Sequence, residues 1–344
     1  MINVGIAGIG FMGMIHYLAY QKVAGAKVRA LCEQEKKRLA GDWRDIKGNF
    51  GPRGTMMDLS GLDCYPELDR LIADPNLDLI DVCLPPSLHA RVAIAALKAG
   101  KHVFCEKPIA LNPADAKRMV DTARKAGRQL MIGQVLPFFP EYKFAYEAIT
   151  SGKYGKLLGG HFRRIISDPL WIPDFYNPST VGGPMIDLHV HDAHFIRLVC
   201  GMPTWVQSVG SMRGEVVERF STQFRFADQD LVVTAASGVI NQQGRPFVHG
   251  YEIYLERATL LFDSGGVIKE PAGAVPLSVL TDDGKVQRPK LRAGDAFADE
   301  LKEVIRSVRG NTPSKLLAGE LARDAVVLCE KQTQSVQRSR PVKV

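Results

Sequence analysis

Over the first 133 residues, short apolar runs alternate with stretches in which apolar side chains recur every three or four positions. The runs Ile2–Ala7, Lys27–Cys32, Leu79–Leu84, His102–Cys105 and Leu130–Gly133 are short and mostly apolar, as expected of strands buried on both faces. The segments between them (Met12–Ala24, Gln34–Asp45, Pro66–Asp74, Ser87–Ala99 and Pro113–Ala126) have the helical period. This alternation predicts an α/β domain over 1–133, a Rossmann-type doubly wound parallel sheet. From about Leu158 the pattern changes to long alternating stretches such as "RFSTQFRF", "LVVTAASGV" and "YEIYLERATLLFDS". They predict an α+β domain over 134–344 with a large, mainly antiparallel open sheet, one face of which is covered by helices; helical periodicity returns at Ala296–Arg309 and Leu316–Gln332. Lys47–Gly61 reads as a long loop within the first domain.

Composition narrows the class. With 46% hydrophobic and 24% charged residues, the chain has the balance of a globular protein, and 344 residues suffice for two full cores. No apolar run approaches the roughly 20 residues of a membrane helix. The net charge of +7 comes partly from Lys331, Arg338, Arg340 and Lys343 near the C-terminus, with no basic face interleaved with aromatics, so nucleic acid is not an expected partner. The cysteines (Cys32, Cys64, Cys83, Cys105, Cys200 and Cys329) are scattered without a C-x-x-C pair, and no basic leader precedes the first apolar run. A reduced, cytoplasmic setting is expected.

The segment "GIAGIGFMG" sets Gly8, Gly10 and Gly13 in G-x-G-x-x-G spacing between a strand and a helix. Such a turn lets the backbone approach a pyrophosphate that faces the helix N-terminus. Glu33 lies 20 residues after Gly13, where an acid can take the adenosine ribose hydroxyls and repel a 2′-phosphate. NAD is therefore expected over NADP, although Lys36, Lys37 and Arg38 lie close in sequence. Glu106-Lys107-Pro108 follows the fifth strand, at the end of the sheet where ligands collect. Lys107 there either reaches the crevice or is a plain surface lysine.

The run "DLHVHDAH", Asp187–His194, packs three histidines and two aspartates into eight positions. Ile186, Val190 and Ala193 have helical spacing, so a single helix is expected from Gly183 to Gly201. On a helix His189 and His191 point about 160° apart, so the H-x-H pair does not chelate one ion, and no metal site is expected. Asp187 and His191 share a helical face, as an acid-supported general base or as an ordinary surface ion pair.

These features together resemble the Gfo/Idh/MocA oxidoreductase family. The glycine fingerprint, "PPSLH", "AGKHVFCEKP", "FPEYKFAYEAITSGKYGKL" and "GGPMIDLHVHD" occur in family order across nearly the whole chain. By this resemblance Lys107 is the catalytic lysine, and Asp187 and His191 are its D-x-x-x-H partners. It implies a nicotinamide dinucleotide in the first domain, bordered by Gly8, Gly10, Phe11, Met12, Gly13, Glu33, Leu84, Pro85, His89, Glu106 and Lys107. It also implies a sugar or polyol substrate, and a homodimer or homotetramer formed through the second sheet. Lys107, Gln134, Trp171, Tyr176, Asp187 and His191 are the expected substrate residues, with Asp168, Asp174 and Asn177 as further hydroxyl partners. Core packing is the competing reading of Trp171 and Tyr176. Pro137 and His194 depart from the family, which often has Arg and Asp there. The expected activity is hydride transfer between a secondary hydroxyl of a sugar, glycoside or cyclitol and NAD. Two alternatives remain: a glycoside-cleaving enzyme with tightly bound NAD and a transient 3-keto intermediate, and a non-catalytic NAD(H) sensor.

Overall fold

A computed structural model describes residues 1–245, 247–265 and 275–344. The first sheet is built from β1 (Ile2–Ala7), β2 (Ala26–Cys32), β3 (Asp63–Tyr65), β4 (Leu79–Val82), β5 (His102–Glu106) and β6 (Leu130–Gly133). Its order is β3-β2-β1-β4-β5-β6 and every pairing is parallel. Every residue of β4, β5 and β6 is buried, as expected of apolar strands covered on both faces. The connecting helices are α1 (Phe11–Tyr20), α2 (Lys36–Leu39), α3 (Leu68–Ala73), α4 (Pro86–Lys98) and α5 (Pro113–Ala126). The strand order reverses between β1 and β4, and the chain leaves the carboxyl ends of both strands into the turns that carry Gly8 and Leu84. A crevice of this type is where doubly wound sheets bind ligands.

The expected helix over Gln34–Asp45 is a correction: only the single turn α2 forms. Gly41 takes φ +90, and the chain folds back so that Met57 N–H donates to the Gly41 carbonyl, Trp43 N–H to Thr55 and Gly54 N–H to Ile46. Trp43 fills the core beneath this turn and is fully buried. Packing of one large ring has overridden helical propensity here. The loop Lys47–Gly61 is tied down by the same bonds, and Phe50 packs edge-on to Phe11 at 4.7 Å and parallel to Phe297 at 5.3 Å.

The second sheet has nine strands. It is built from β7 (Leu157–Ser167), β8 (Trp205–Arg213), β9 (Val216–Arg225), β10 (Val232–Ile240), β11 (Val248–Leu255), β12 (Ala258–Asp263), β13 (Val275–Thr281), β14 (Val286–Gln287) and β15 (Val342–Lys343), in the order β14-β13-β12-β11-β7-β10-β9-β8-β15. The β7/β10 pair is parallel and the others are antiparallel. Helices α6 (Pro140–Thr150), α7 (Gly183–Asp187) and α8 (Val190–Cys200) pack against this sheet. The core between them is centred on Tyr142, Phe162, Phe195 and Phe224.

Two compact units result, residues 1–135 with 295–323, and 136–294 with 324–344. The expected boundary at 133/134 lies close to the first crossing, but the chain returns to the first unit, which a single 134–344 domain does not allow. The return is made by α9 (Ala296–Gly310), which buries Ala298, Leu301, Val304, Ile305 and Val308 and packs on α1. The last helix, α10 (Gly319–Arg338), leads back into the second unit. Among the described residues no helix is long and apolar enough to cross a membrane.

Candidate active site

In the first unit the glycine turn has a shape that only glycine allows. Gly8 takes φ +98, and a Cβ at Gly13 would lie 2.0 Å from the Gly8 carbonyl oxygen. A Cβ on Gly10 would meet nothing within 4 Å, so the backbone there faces open space. Gly10 caps α1 with no side-chain hydrogen bond, so the N-terminal end of that helix is available to an anion. Phe11 and Met12, the first two residues of α1, are half-buried beside it, and Leu84 packs over Gly8. This is the cradle a dinucleotide pyrophosphate requires.

Glu33 holds the turn from behind. One carboxylate oxygen accepts Ile9 N–H at 2.9 Å, and the other accepts Gln34 and Glu35 N–H at 2.8 and 3.1 Å. Two of the three neighbouring bases are already paired: Lys37 with Glu35 and Asp45, and Arg38 with the same two acids.

At the end of β5, Glu106 is buried and its Oε2 accepts the Lys107 backbone N–H at 3.1 Å. Lys107 is half-buried, and its peptide to Pro108 is cis. His89 is fully buried, with Nδ1 at 2.7 Å from the Pro108 carbonyl and Nε2 at 2.7 Å from that of Leu84. Both ring nitrogens are thus occupied by the protein, and His89 joins the turn after β4 to the Lys107 loop. Pro85, the N-cap of α4, is exposed between them. Gln134 follows β6 and is fully buried, and both polar atoms of its amide lack a hydrogen-bond partner among the described residues.

In the second unit the octet spans two helices, which corrects the single helix expected. The Pro184 carbonyl accepts both Leu188 N–H at 3.1 Å and His189 N–H at 3.0 Å, and His191 N–H turns back to Leu188. This shared acceptor breaks the regular ladder between α7 and α8. The burial of the five ionisable side chains then sorts them. His189, Asp192 and His194 are buried, whereas Asp187 and His191 are half-buried and keep access to solvent. His189 Nε2 lies 3.0 Å from Gln332 Nε2, and its ring meets Phe220 edge-on at 4.8 Å. Asp192 accepts a bidentate pair from the buried Arg164, Nε at 2.7 Å and a terminal nitrogen at 3.0 Å. These partners fix α8 and leave the other two groups facing outward.

The loop before α7 closes on itself. Tyr176 donates to Asp168 at 2.7 Å, Arg213 bonds the other Asp168 oxygen at 2.7 Å, and its guanidinium lies 3.8 Å over the Tyr176 ring. Ile172, Phe175 and Tyr176 pack in one small cluster with Leu188 of the octet. Tyr176 and Asp168 are therefore committed to the loop itself, while Trp171 is 60% exposed beside Leu170. Asp174 adopts φ 54 and its carbonyl accepts Asn177 N–H, so both residues shape the loop turn.

Residues 2–134 match the family model described as "Oxidoreductase family, NAD-binding Rossmann fold", and residues 142–261 match the GFO/IDH/MocA C-terminal domain. The chain belongs to the Gfo/Idh/MocA oxidoreductase family. It is 30% identical to the myo-inositol 2-dehydrogenase of Thermotoga maritima, over all of this chain and 98% of that protein. It is 26% identical to the levoglucosan dehydrogenase of Pseudarthrobacter phenanthrenivorans, over 76% of this chain and 73% of that one. Among solved structures, the aldose-aldose oxidoreductase from Caulobacter crescentus, crystallised with glycerol, matches with a TM-score of 0.82 at 20% identity, covering 100% of this chain and 99% of that one. This Gfo/Idh/MocA chain is accordingly an NAD-binding oxidoreductase, and the two homologues compared above are dehydrogenases.

Sequence reasoning missed the partners that hold the family motif in place. Arg164 is flanked by the inward-facing Phe162 and Ile166 on β7, and all three are buried. An arginine on the apolar side of an alternating strand is itself a signal that a buried acid awaits it. Gln332 on α10 carries no comparable signal. Burial, only partly opposed by Asp192, lowers the His189 pKa to about 4, and burial with Arg164 nearby does the same for His249. Both rings are neutral when folded and take up protons when unfolded below about 6.5. The unfolded state then binds more protons, so stability falls with falling pH between about 6.5 and 4. Thermal melts across that range are expected to show a steadily lower midpoint; a flat midpoint would contradict the neutral, buried state of these rings.

Proposed function

We propose that this protein is an NAD-dependent dehydrogenase acting on a secondary hydroxyl of a sugar, glycoside or cyclitol. One observation carries the reading: within the octet, the fold buries His189, Asp192 and His194 and leaves Asp187 and His191 half-buried. A carboxylate and an imidazole on adjoining helical turns suit removal of a hydroxyl proton, and the family resemblance adds Lys107, on the loop after β5, as the catalytic lysine. In the oxidative direction His191 accepts that proton, Asp187 orients His191, and the Lys107 ammonium stabilises the developing alkoxide. NAD, when bound, supplies the hydride acceptor. Gly8, Gly10 and Gly13 with the first turn of α1 hold its pyrophosphate, and Glu33 faces its adenosine ribose.

Gln134 is the strongest candidate for a further ligand contact. Burying a polar group without a partner costs on the order of 1–3 kcal/mol, a cost that a hydroxyl or carboxamide bound there removes. The names of the relatives, a myo-inositol and a levoglucosan dehydrogenase, support a polyhydroxylated ring as substrate. The 60% exposure of Trp171 supports it as a flat apolar surface for such a ring. The test is a panel of cyclitols, aldoses and anhydrosugars with NAD and NADP, followed by the absorbance of the reduced cofactor. NADH formation with a ring polyol is expected, with NADP at least about tenfold poorer because a 2′-phosphate meets Glu33. Activity confined to acyclic or non-hydroxylated substrates would overturn the assignment.

The sheet of the second unit exposes Leu158, Val209 and Val232 on its strands. We propose this surface as the contact between copies in a homodimer or homotetramer. Light scattering should show the oligomer, and Val209→Glu should shift it toward monomer. A wild-type monomer at micromolar concentration would contradict it. The free cysteines suit a reducing, cytoplasmic setting.

A further inference from the structure

Beneath the glycine turn the first unit encloses a group of ionisable side chains that the proposed chemistry does not use. His16, in the second turn of α1, is fully buried, with its ring stacked on Phe104 at 5.4 Å. Its Nδ1 lies 3.0 and 3.2 Å from the two Asp81 carboxylate oxygens on β4. Its Nε2 lies 3.1 Å from Glu106 Oε1 at the end of β5. The second Glu106 oxygen accepts the Lys107 backbone N–H. A line of contacts therefore runs from Asp81 through His16 and Glu106 to the lysine.

We propose that His16 is a positioning residue which, held between Asp81 and Glu106, fixes the Glu106 carboxylate against the Lys107 backbone and so sets the lysine for catalysis. This rests on the dehydrogenase reading above. A neutral imidazole has one N–H and one lone pair, and between two carboxylates the lone pair would face an acceptor. Only the imidazolium carries an N–H on the nitrogen nearest each carboxylate. Burial works against that charge, but the Asp81 carboxylate and the Cys83 sulfur outweigh it and hold the ring's pKa well above its usual range. The other groups around it are proton carriers. Burial and the nearby Glu106 push Glu300 of α9 well up, and burial with Asp81 does the same for Tyr20 of α1. Burial and Asp81 likewise raise the Cys83 thiol, which sits 3.2 Å from His16 Nδ1.

His16 also ties together the two parts of the first unit that matter most. It belongs to the helix whose N-terminus receives the pyrophosphate, and its Nε2 lies 3.1 Å from the carboxylate at the strand end that precedes the lysine. Displacement of a reacting group by about 1 Å can cost about 10²-fold in rate, so loss of the clamp should appear in kcat and not in cofactor affinity. His16, Asp81 and Cys83 are also close enough to one another to surround a metal ion. Glu106 on the far ring nitrogen favours the proton instead.

Two measurements test this on the full-length protein. Ring-nitrogen NMR of histidine-labelled protein, with the His16 signal assigned by its loss in His16→Gln, needs no substrate. An imidazolium persisting well above the ordinary histidine range supports the clamp; a ring that is neutral within that range, or stoichiometric zinc in the purified protein, overturns it. For the wild type turning over its polyol, His16→Gln should bind NADH within about threefold of normal and lose about 10²-fold in kcat. Asp81→Asn keeps the ring but weakens its hold on the proton, so the alkaline fall of kcat should move to lower pH. Unchanged kcat in both variants, or a loss confined to KM for NAD, overturns the proposal. A wild type inactive on every polyol would sink the functional reading alone, and the NMR result would still decide the state of His16.

Discussion

Lys107→Ala and His191→Asn each lower turnover by roughly 10²–10⁴-fold, the range that positioned proton transfer and charge stabilisation contribute, while NADH binds nearly as tightly as before. The separation follows from where the groups lie. The pyrophosphate cradle is made by the backbone of the glycine turn and the N-terminus of α1, which neither substitution touches. Both side chains are half-buried, so truncation leaves no closed void in a core. Steady-state kinetics with parallel NADH titration checks the pair. Turnover close to wild type in either variant would remove that residue from the mechanism.

The largest stability effect is expected at Arg164. Arg164→Met leaves the Asp192 carboxylate buried at 1% exposure without its bidentate partner. Breaking a buried pair from one side costs about 3–5 kcal/mol, because the remaining charge is stranded in a low-dielectric site. Asp192 lies in the first turn of α8, next to His191, so the strain falls on the catalytic helix as well. The double variant Arg164→Met, Asp192→Leu removes both charges and should regain most of the loss. Chemical denaturation of the three variants measures this. A single variant as stable as the double would mean that the pair contributes little.

The Rossmann half was legible because its signals are local. Short, mostly apolar runs such as Val103–Cys105 between helical stretches read as strands buried on both faces, and Gly8 and Gly13 are required by close approaches that involve few neighbours. The residues around Gly41 were misread because the buried Trp43 and the return strand at Thr55 and Met57, distant in sequence, decide that turn. The octet was read correctly as helical but not as broken, since the shared Pro184 carbonyl depends on backbone geometry after Gly182 and Gly183. The return of α9 to the first unit, and the meeting of His16 with Asp81 and Glu106, are long-range events. Periodicity marks a face as buried but does not say against what.

The most direct test of the proposed chemistry is to supply a turned-over polyol carrying deuterium at its reacting carbon, and to follow the label by mass spectrometry. Direct hydride transfer predicts one deuterium in each reduced nicotinamide released, with a ketone product and a slowed reductive step. Turnover that leaves the label in the sugar product and yields no net NADH would contradict a dehydrogenase, and would point to a cofactor that is reduced and reoxidised within one cycle.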